Sequence, residues 1–384
     1  MQLNDVFINN SSSFFPNNPV PNEEMEEYLG LINNTPSRSR AIVLRNNGIK
    51  NRYYALKKGG GTTHTNAEMT ALAIRKLFDG VSEKLKEVDL LSCGTSSPDQ
   101  IMPSHAAMVH GWLPEMNSSE VVSPSGVCCA GMHAFKYAFL STKTGAAKQA
   151  VATGSERFSK FLLSENFEDE AQKLSSLMED PYISFDKEFL RWMLSDGAAS
   201  FLLSDKPNPA GISLRVDWLE GYSYANQLAP CMYAGAEKMK DGSLKSYLEY
   251  SPHELIENSI LSIKQDVKLL SKNIVPFGGM GLSAALNKHG VKSSEVDYFL
   301  PHMSSEFFRD KIYQQLIANN TAIPYEKWFV NLPRVGNVGA ASVYFMVDEL
   351  FHSGKLQPGN KILLLVPESS RFSYMYGLLT VVGA

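Results

Sequence analysis

Short apolar runs alternate with amphipathic stretches along most of this chain. VDLLSCG (88–94), QAVATG (149–154), ASFLLS (199–204), VDYFLP (296–301) and KILLLVPE (361–368) suit strands covered on both faces. Between them, AEMTALAIRKLF (67–78), CAGMHAFKYAFLSTKTG (129–145), PHELIENSILSIKQDVKLL (252–270) and AASVYFMVDELFHSG (340–354) carry helical spacing. Gly145 and Gly354 stand where C-caps are expected. Strand–helix alternation predicts an α/β layered fold.

An internal duplication refines this. EVDLLSCGTSS from Glu87 reads against EVDYFLPHMSS from Glu295, and GVCCAGMHAF from Gly126 against GNVGAASVYF from Gly336. AVATGSE, ending at Glu156, reads against LLLVPES, with Glu368 as the counterpart. Three matches in order at nearly constant offset predict two homologous halves, 1–205 and 206–384, packed about a pseudo-twofold axis. A period this long excludes a solenoid. The stretch 155–195 has no equivalent in the second half and reads as a helical excursion, suited either to capping a site or to elaborating the surface.

Composition narrows the function classes. Of 384 residues, 44% are hydrophobic and 20% charged, which supplies a sizeable core and excludes disorder. A net charge of −4 without a basic run argues against nucleic-acid or anionic-membrane binding. No apolar stretch is long enough for a spanning helix, and the first residues have neither the basic nor the apolar part of a signal peptide, so a cytoplasmic protein is expected. Cys93, Cys128, Cys129 and Cys231 include no CxxC pair. His105 and His110 lack a third ligand at metal spacing, so neither metal nor cofactor is expected.

Cys129 is the leading candidate for chemistry. SPSG (123–126) reads as a strand-to-helix turn, and a thiol at the start of a helix meets unpaired N–H groups and the positive end of the dipole. Cys128 competes, but its helical stripe is Met132, Phe135 and Phe139, whereas that of Cys129 carries His133 and Lys136. His302 ends the VDYFLP strand and Asn337 lies in the matching strand–helix junction of the second half. Each alone is most often a structural residue; facing halves would bring all three to one place. His133, one turn from Cys129, offers a weaker Cys–His alternative, and GGGTTH (59–64) reads as a loop without the P-loop lysine.

GVCCAG, LPHMSS and VGNVGAAS, in this order, resemble the Cys–His–Asn constellation of the ketoacyl synthase III branch of the thiolase superfamily. NGIKNRYYA (47–55), SDGAASFLL (195–203) and LQPGNKILLL extend the resemblance over nearly the whole chain. It implies a five-layered αβαβα sandwich, a homodimer, and Claisen condensation between an acyl group on Cys129 and a second, malonyl- or β-ketoacyl-, thioester. His302 and Asn337 would hold the second thioester's carbonyl, and Ser369 or Ser370 would add an N–H to the oxyanion site. Met102 would reach into the partner subunit's acyl pocket.

Departures from that family's pattern bear on substrate. Ile42 and Asn46 replace its coenzyme-A-stacking Trp and Arg, which favours acyl carrier protein thioesters over acyl-coenzyme A. Phe307 replaces a basic position, with Arg309 and Lys311 close by as carrier contacts. PESSRFS (367–373) replaces a glycine-rich loop, so Glu368 and its neighbours would crowd or re-aim the oxyanion region. The chain is closer to specialised relatives such as dialkylresorcinol and flexirubin-type ketosynthases. An acyltransferase of the same fold and a non-catalytic subunit of a heterodimer are the alternatives.

Overall fold

The structure is a computed structural model and describes residues 3–37, 40–167 and 189–383. Nine strands form one sheet: β1 (Phe7–Phe14), β2 (Leu90–Gly94), β3 (Glu120–Val122), β4 (Gln149–Glu156), β5 (Gly197–Ser204), β6 (Ile212–Ser223), β7 (Tyr298–Pro301), β8 (Lys361–Glu368) and β9 (Ser373–Gly383). Their order is β7-β8-β9-β6-β1-β5-β4-β2-β3. Read outward from the centre, β1-β5-β4-β2 pair antiparallel, antiparallel, parallel, and β6-β9-β8-β7 repeat that sequence of pairings. The two runs meet only where Phe7 and Ile8 oppose Arg215 and Leu214.

Six helices complete the layers: α1 (Asn66–Lys76), α2 (His105–Gly111), α3 (Cys129–Thr144), α4 (Val267–His289), α5 (Arg309–Ala318) and α6 (Ser342–Phe351). α1 and α2 cover the outer face of the first run of strands, and α4 covers β8 and β9 with α5 packed on it. α3 lies between the runs, touching β2, β4 and β5 on one side and β8 and β9 on the other, with α6 against β1, β5 and β7. Helix, sheet, helix, sheet, helix is the expected five-layer α/β arrangement.

Local chemistry explains the boundaries. Thr65 and Glu68 form a reciprocal capping box at the start of α1. Gly145, in the left-handed region at φ 80°, ends α3 by donating to carbonyls of the last turn. The central helices approach closely because Gly131 has no side chain: a Cβ there would lie 2.2 Å from the Ala340 carbonyl oxygen. Tyr344 Oη then donates to the Gly131 carbonyl at 2.8 Å.

One expectation is corrected. The segment 252–270 is not one helix: Pro252–Glu257 is a short helix, Lys264–Gln265 a strand paired with Met232–Tyr233, and α4 begins only at Val267. Asp266 caps α4 by accepting from the Leu269 N–H. In the excursion 155–195, Phe158–Leu162, Ser164–Asn166 and Leu190–Trp192 are single 3₁₀ turns, and 168–188 lie outside the described residues. Among the described residues, no helix is long and apolar enough to cross a membrane.

Candidate active site

A cavity opens where both halves of the sheet end. Its lining includes Cys128, His302, Asn337 and Ser369, together with the apolar Leu270, Ile274, Ile312 and Leu316 of α4 and α5. Phe158, Leu190 and Leu194, from the described parts of the excursion 155–195, also wall it.

The two adjacent cysteines are placed differently. Gly126, at φ 153°, turns the chain into α3, and Cys128 occupies the N-cap with its side chain on the cavity wall. Cys129, one residue and about 100° further round the helix, is fully buried and does not line the cavity. Its thiol faces the β8–β9 hairpin and donates to the carbonyls of Val366 at 3.3 Å and Ser373 at 3.8 Å. The apolar stripe below Cys128 is therefore the buried flank that leads down from the site. His133 lies on the exposed side of α3.

His302 directly follows β7, and its backbone N–H donates to Leu365 at 2.8 Å, prolonging the parallel pairing with β8. The ring is buried, which alone pulls its pKa down to about 4, so the imidazole is neutral at ordinary pH. Asn337 is held through its backbone by Met193 and Ser195, at 3.0 and 2.9 Å. Its Oδ1 accepts from the Gly339 N–H at 3.0 Å. Because that partner can only donate, the amide is oriented and its N–H₂ is the end left for a ligand. A neutral His and an oriented Asn thus offer two donors to the cavity that Cys128 also lines.

Ser369 and Ser370 part company. Ser369 lines the cavity, while the Ser370 hydroxyl donates to Glu368 Oε1 at 2.7 Å and its carbonyl accepts from Cys231 and Met232. The Glu368 carboxylate accepts from the N–H groups of Val127 and Cys129, so neither is free for an oxyanion. Burial first, then Glu368 and Glu156, push the Cys128 thiol well above its usual range. The helix start therefore does not favour the thiolate here, contrary to expectation.

The remaining candidates lie at the surface. Met102 is 82% exposed and away from the cavity of its own chain. Arg309 is paired with Glu306 at 2.5 and 2.9 Å, and the Lys311 ammonium sits 3.9 Å above the Phe307 ring. Among the described residues, no three His, Cys, Asp or Glu side chains gather as a metal site. Sequence reading missed the wall formed by Met232, Ile263 and Gln265, because nothing in their local pattern tells where the chain folds back.

Residues 286–366 match the family model of the 3-oxoacyl-[acyl-carrier-protein (ACP)] synthase III C-terminal region. The chain is 24% identical over 357 residues to beta-ketoacyl-[acyl-carrier-protein] synthase III of Clostridium perfringens, covering 92% of each protein. Among solved structures, the tetronic acid condensing enzyme AbyA1 superposes with a TM-score of 0.73 at 18% identity, over 98% of this chain and 99% of that one. Xanthomonas campestris OleA, solved with bound lauric acid and lauroyl-CoA, does so with a TM-score of 0.72 at 17% identity and the same coverage. The chain is thus similar to beta-ketoacyl-ACP synthase III along nine-tenths of its sequence, matches that family's C-terminal region over 286–366, and shares the layered fold of these condensing enzymes.

Proposed function

We propose that the chain is a ketosynthase that forms a carbon–carbon bond by Claisen condensation, with Cys128 rather than Cys129 carrying the acyl group. The observation that supports this reading is that Cys128, His302 and Asn337 all line one cavity. The Cys128 sulfur attacks the carbonyl carbon of an acyl thioester. The tetrahedral oxyanion draws on the Cys128 and Ser369 N–H groups, and the carrier thiol leaves with the proton. His302 and Asn337 then donate to the carbonyl oxygen of the second thioester. Loss of carbon dioxide from a malonyl group, or transfer of an α-proton from a β-ketoacyl group to solvent water, turns that oxygen into an enolate that the two donors stabilise. The carbanion attacks acyl-Cys128, the new bond forms, and the thiolate leaves.

The apolar lining of the cavity supports long acyl chains and a role in specialised lipid or polyketide synthesis, nearest the dialkylresorcinol type. OleA, with its lauroyl ligand, lends support to that reading. Acyl carrier protein is the proposed donor, met by Arg309 and Lys311, in a cytoplasmic homodimer whose Met102 enters the partner subunit's acyl pocket. Residues 1–205 and 206–384 are read as the duplicated halves.

Intact-protein mass spectrometry with acyl-carrier-protein and acyl-coenzyme A donors tests the assignment. Wild type and Cys129→Ala should gain one acyl mass, and Cys128→Ala none. The reverse pattern restores Cys129, and no adduct from any donor favours the non-catalytic subunit.

A further inference from the structure

Glu368 ends β8, and only 6% of it is exposed. Its Oε2 accepts from the N–H of Val127 at 2.8 Å and of Cys129 at 3.0 Å, the residues on either side of Cys128. Its Oε1 accepts from the Ser370 hydroxyl at 2.7 Å. Among the described residues, no Lys, Arg or His forms an ion pair with it. All its partners are neutral donors, so the bonds hold the group in place without cancelling its charge.

The arrangement recurs across the pseudo-twofold. Glu156 ends β4, and its Oε1 accepts from the Ala340 N–H at 3.1 Å, just past the turn that presents Asn337. The hydroxyls of Ser96 and Ser97 donate to the same carboxylate. Each run of strands thus sends a carboxylate across to the central helix of the other.

We infer that Glu368 is a positioning residue for the nucleophile: its carboxylate clamps the chain on both sides of Cys128 and sets an anion at the helix start that a thiolate would otherwise draw on. This rests on the reading of Cys128 as nucleophile. The start of a helix attracts anions through free N–H groups and the dipole. Here a resident carboxylate takes both flanking N–H groups, and in a dry site its charge opposes a second anion nearby. The thiol therefore waits in its neutral form while its backbone stays fixed. The titratable groups around it are Cys129 on α3, Glu368 at the end of β8, Glu156 at the end of β4 and His302 after β7; His133 on α3 feels Glu368 from outside.

Glu368→Gln separates charge from geometry. The amide oxygen can accept from the same two N–H groups, and the amide N–H₂ can donate to Ser370 once that hydroxyl turns. Iodoacetamide labelling of Cys128 across pH, mapped by peptide fragmentation, reads the thiolate. The midpoint should fall by about a unit or more in E368Q, making labelling at a fixed pH below it about tenfold faster or more. Glu368→Asp keeps the charge but cannot span both N–H groups, so its midpoint should stay near wild type while acyl loading slows. Coincident wild-type and E368Q profiles overturn the inference, as does an E368D midpoint that falls as far as that of E368Q. Absence of label on Cys128 at every pH in wild type overturns the nucleophile reading and this inference with it.

Discussion

Asn337 and His302 reach the same end by opposite means. Asn337 is oriented by one bond, from the Gly339 N–H to its Oδ1, whereas His302 is tuned by burial alone, which lowers its pKa to about 4. A group held that low keeps its neutral form at every pH above about 5. Single-turnover condensation from preloaded acyl-enzyme should therefore show no limb near 6.5, the free histidine value, between pH 5.5 and 8. A limb there would mean that His302 gains a charged partner in the loaded enzyme. Loading should behave differently, rising with pH through neutrality because the Cys128 thiol is pushed up. At this scale, the strand end at His302 and the turn at Asn337 were legible in the sequence. Which of the adjacent cysteines lines the cavity was not, since that depends on which layer each side of α3 meets. The apolar stripe below Cys128 suggests inert core in a surface helix, but in a helix buried between two sheets it leads to the site.

Among the elements, the apolar strands were easiest to read, and β8 spans the predicted residues 361–368. β1 was missed because FINNSSSF is mostly polar, yet it pairs along its length with β5. Its serines are compatible with burial because each finds a partner: Ser11 and Ser13 donate to Asp348, and Ser12 to the Ala73 carbonyl. β6 and β9 escaped notice as well, and the helix expected over 252–270 failed because capping signals at Ser251 and Asp266 divide it. The contact of α3 with the start of α6 is the least tolerant junction. Gly131→Ala would set a methyl 2.2 Å from a backbone oxygen that cannot rotate away. Equilibrium urea unfolding should show a loss of about 1–3 kcal/mol, with the m-value unchanged.

For the molecule as a whole, the cavity joins residues that are distant in the chain, from Cys128 to Ser369, and α4 and α5 add apolar residues to its lining. Chain-length selection should then be separable from chemistry. Ile312→Phe, in the apolar lining, should shift loading or condensation toward shorter acyl donors by about tenfold while acetyl loading stays within about twofold. Competition between donors of graded length, scored by mass, measures both. A uniform loss across lengths would place Ile312 outside the acyl path. The pattern of the sequence could give the layers and the chemistry, but not this volume, because the excess space arises where helices from different parts of the chain fail to meet.

The place of β1 also has a consequence in time. It is made long before its neighbours β5 and β6, which begin at Gly197 and Ile212. At about 5–20 residues per second on the ribosome, β1 waits on the order of ten seconds or more before either edge can be paired. An apolar strand left open that long would invite association with other nascent chains. The asparagines and serines of FINNSSSF lower that risk, and Ser11 and Ser13 find their partner only when the last helix, α6, brings Asp348 into place.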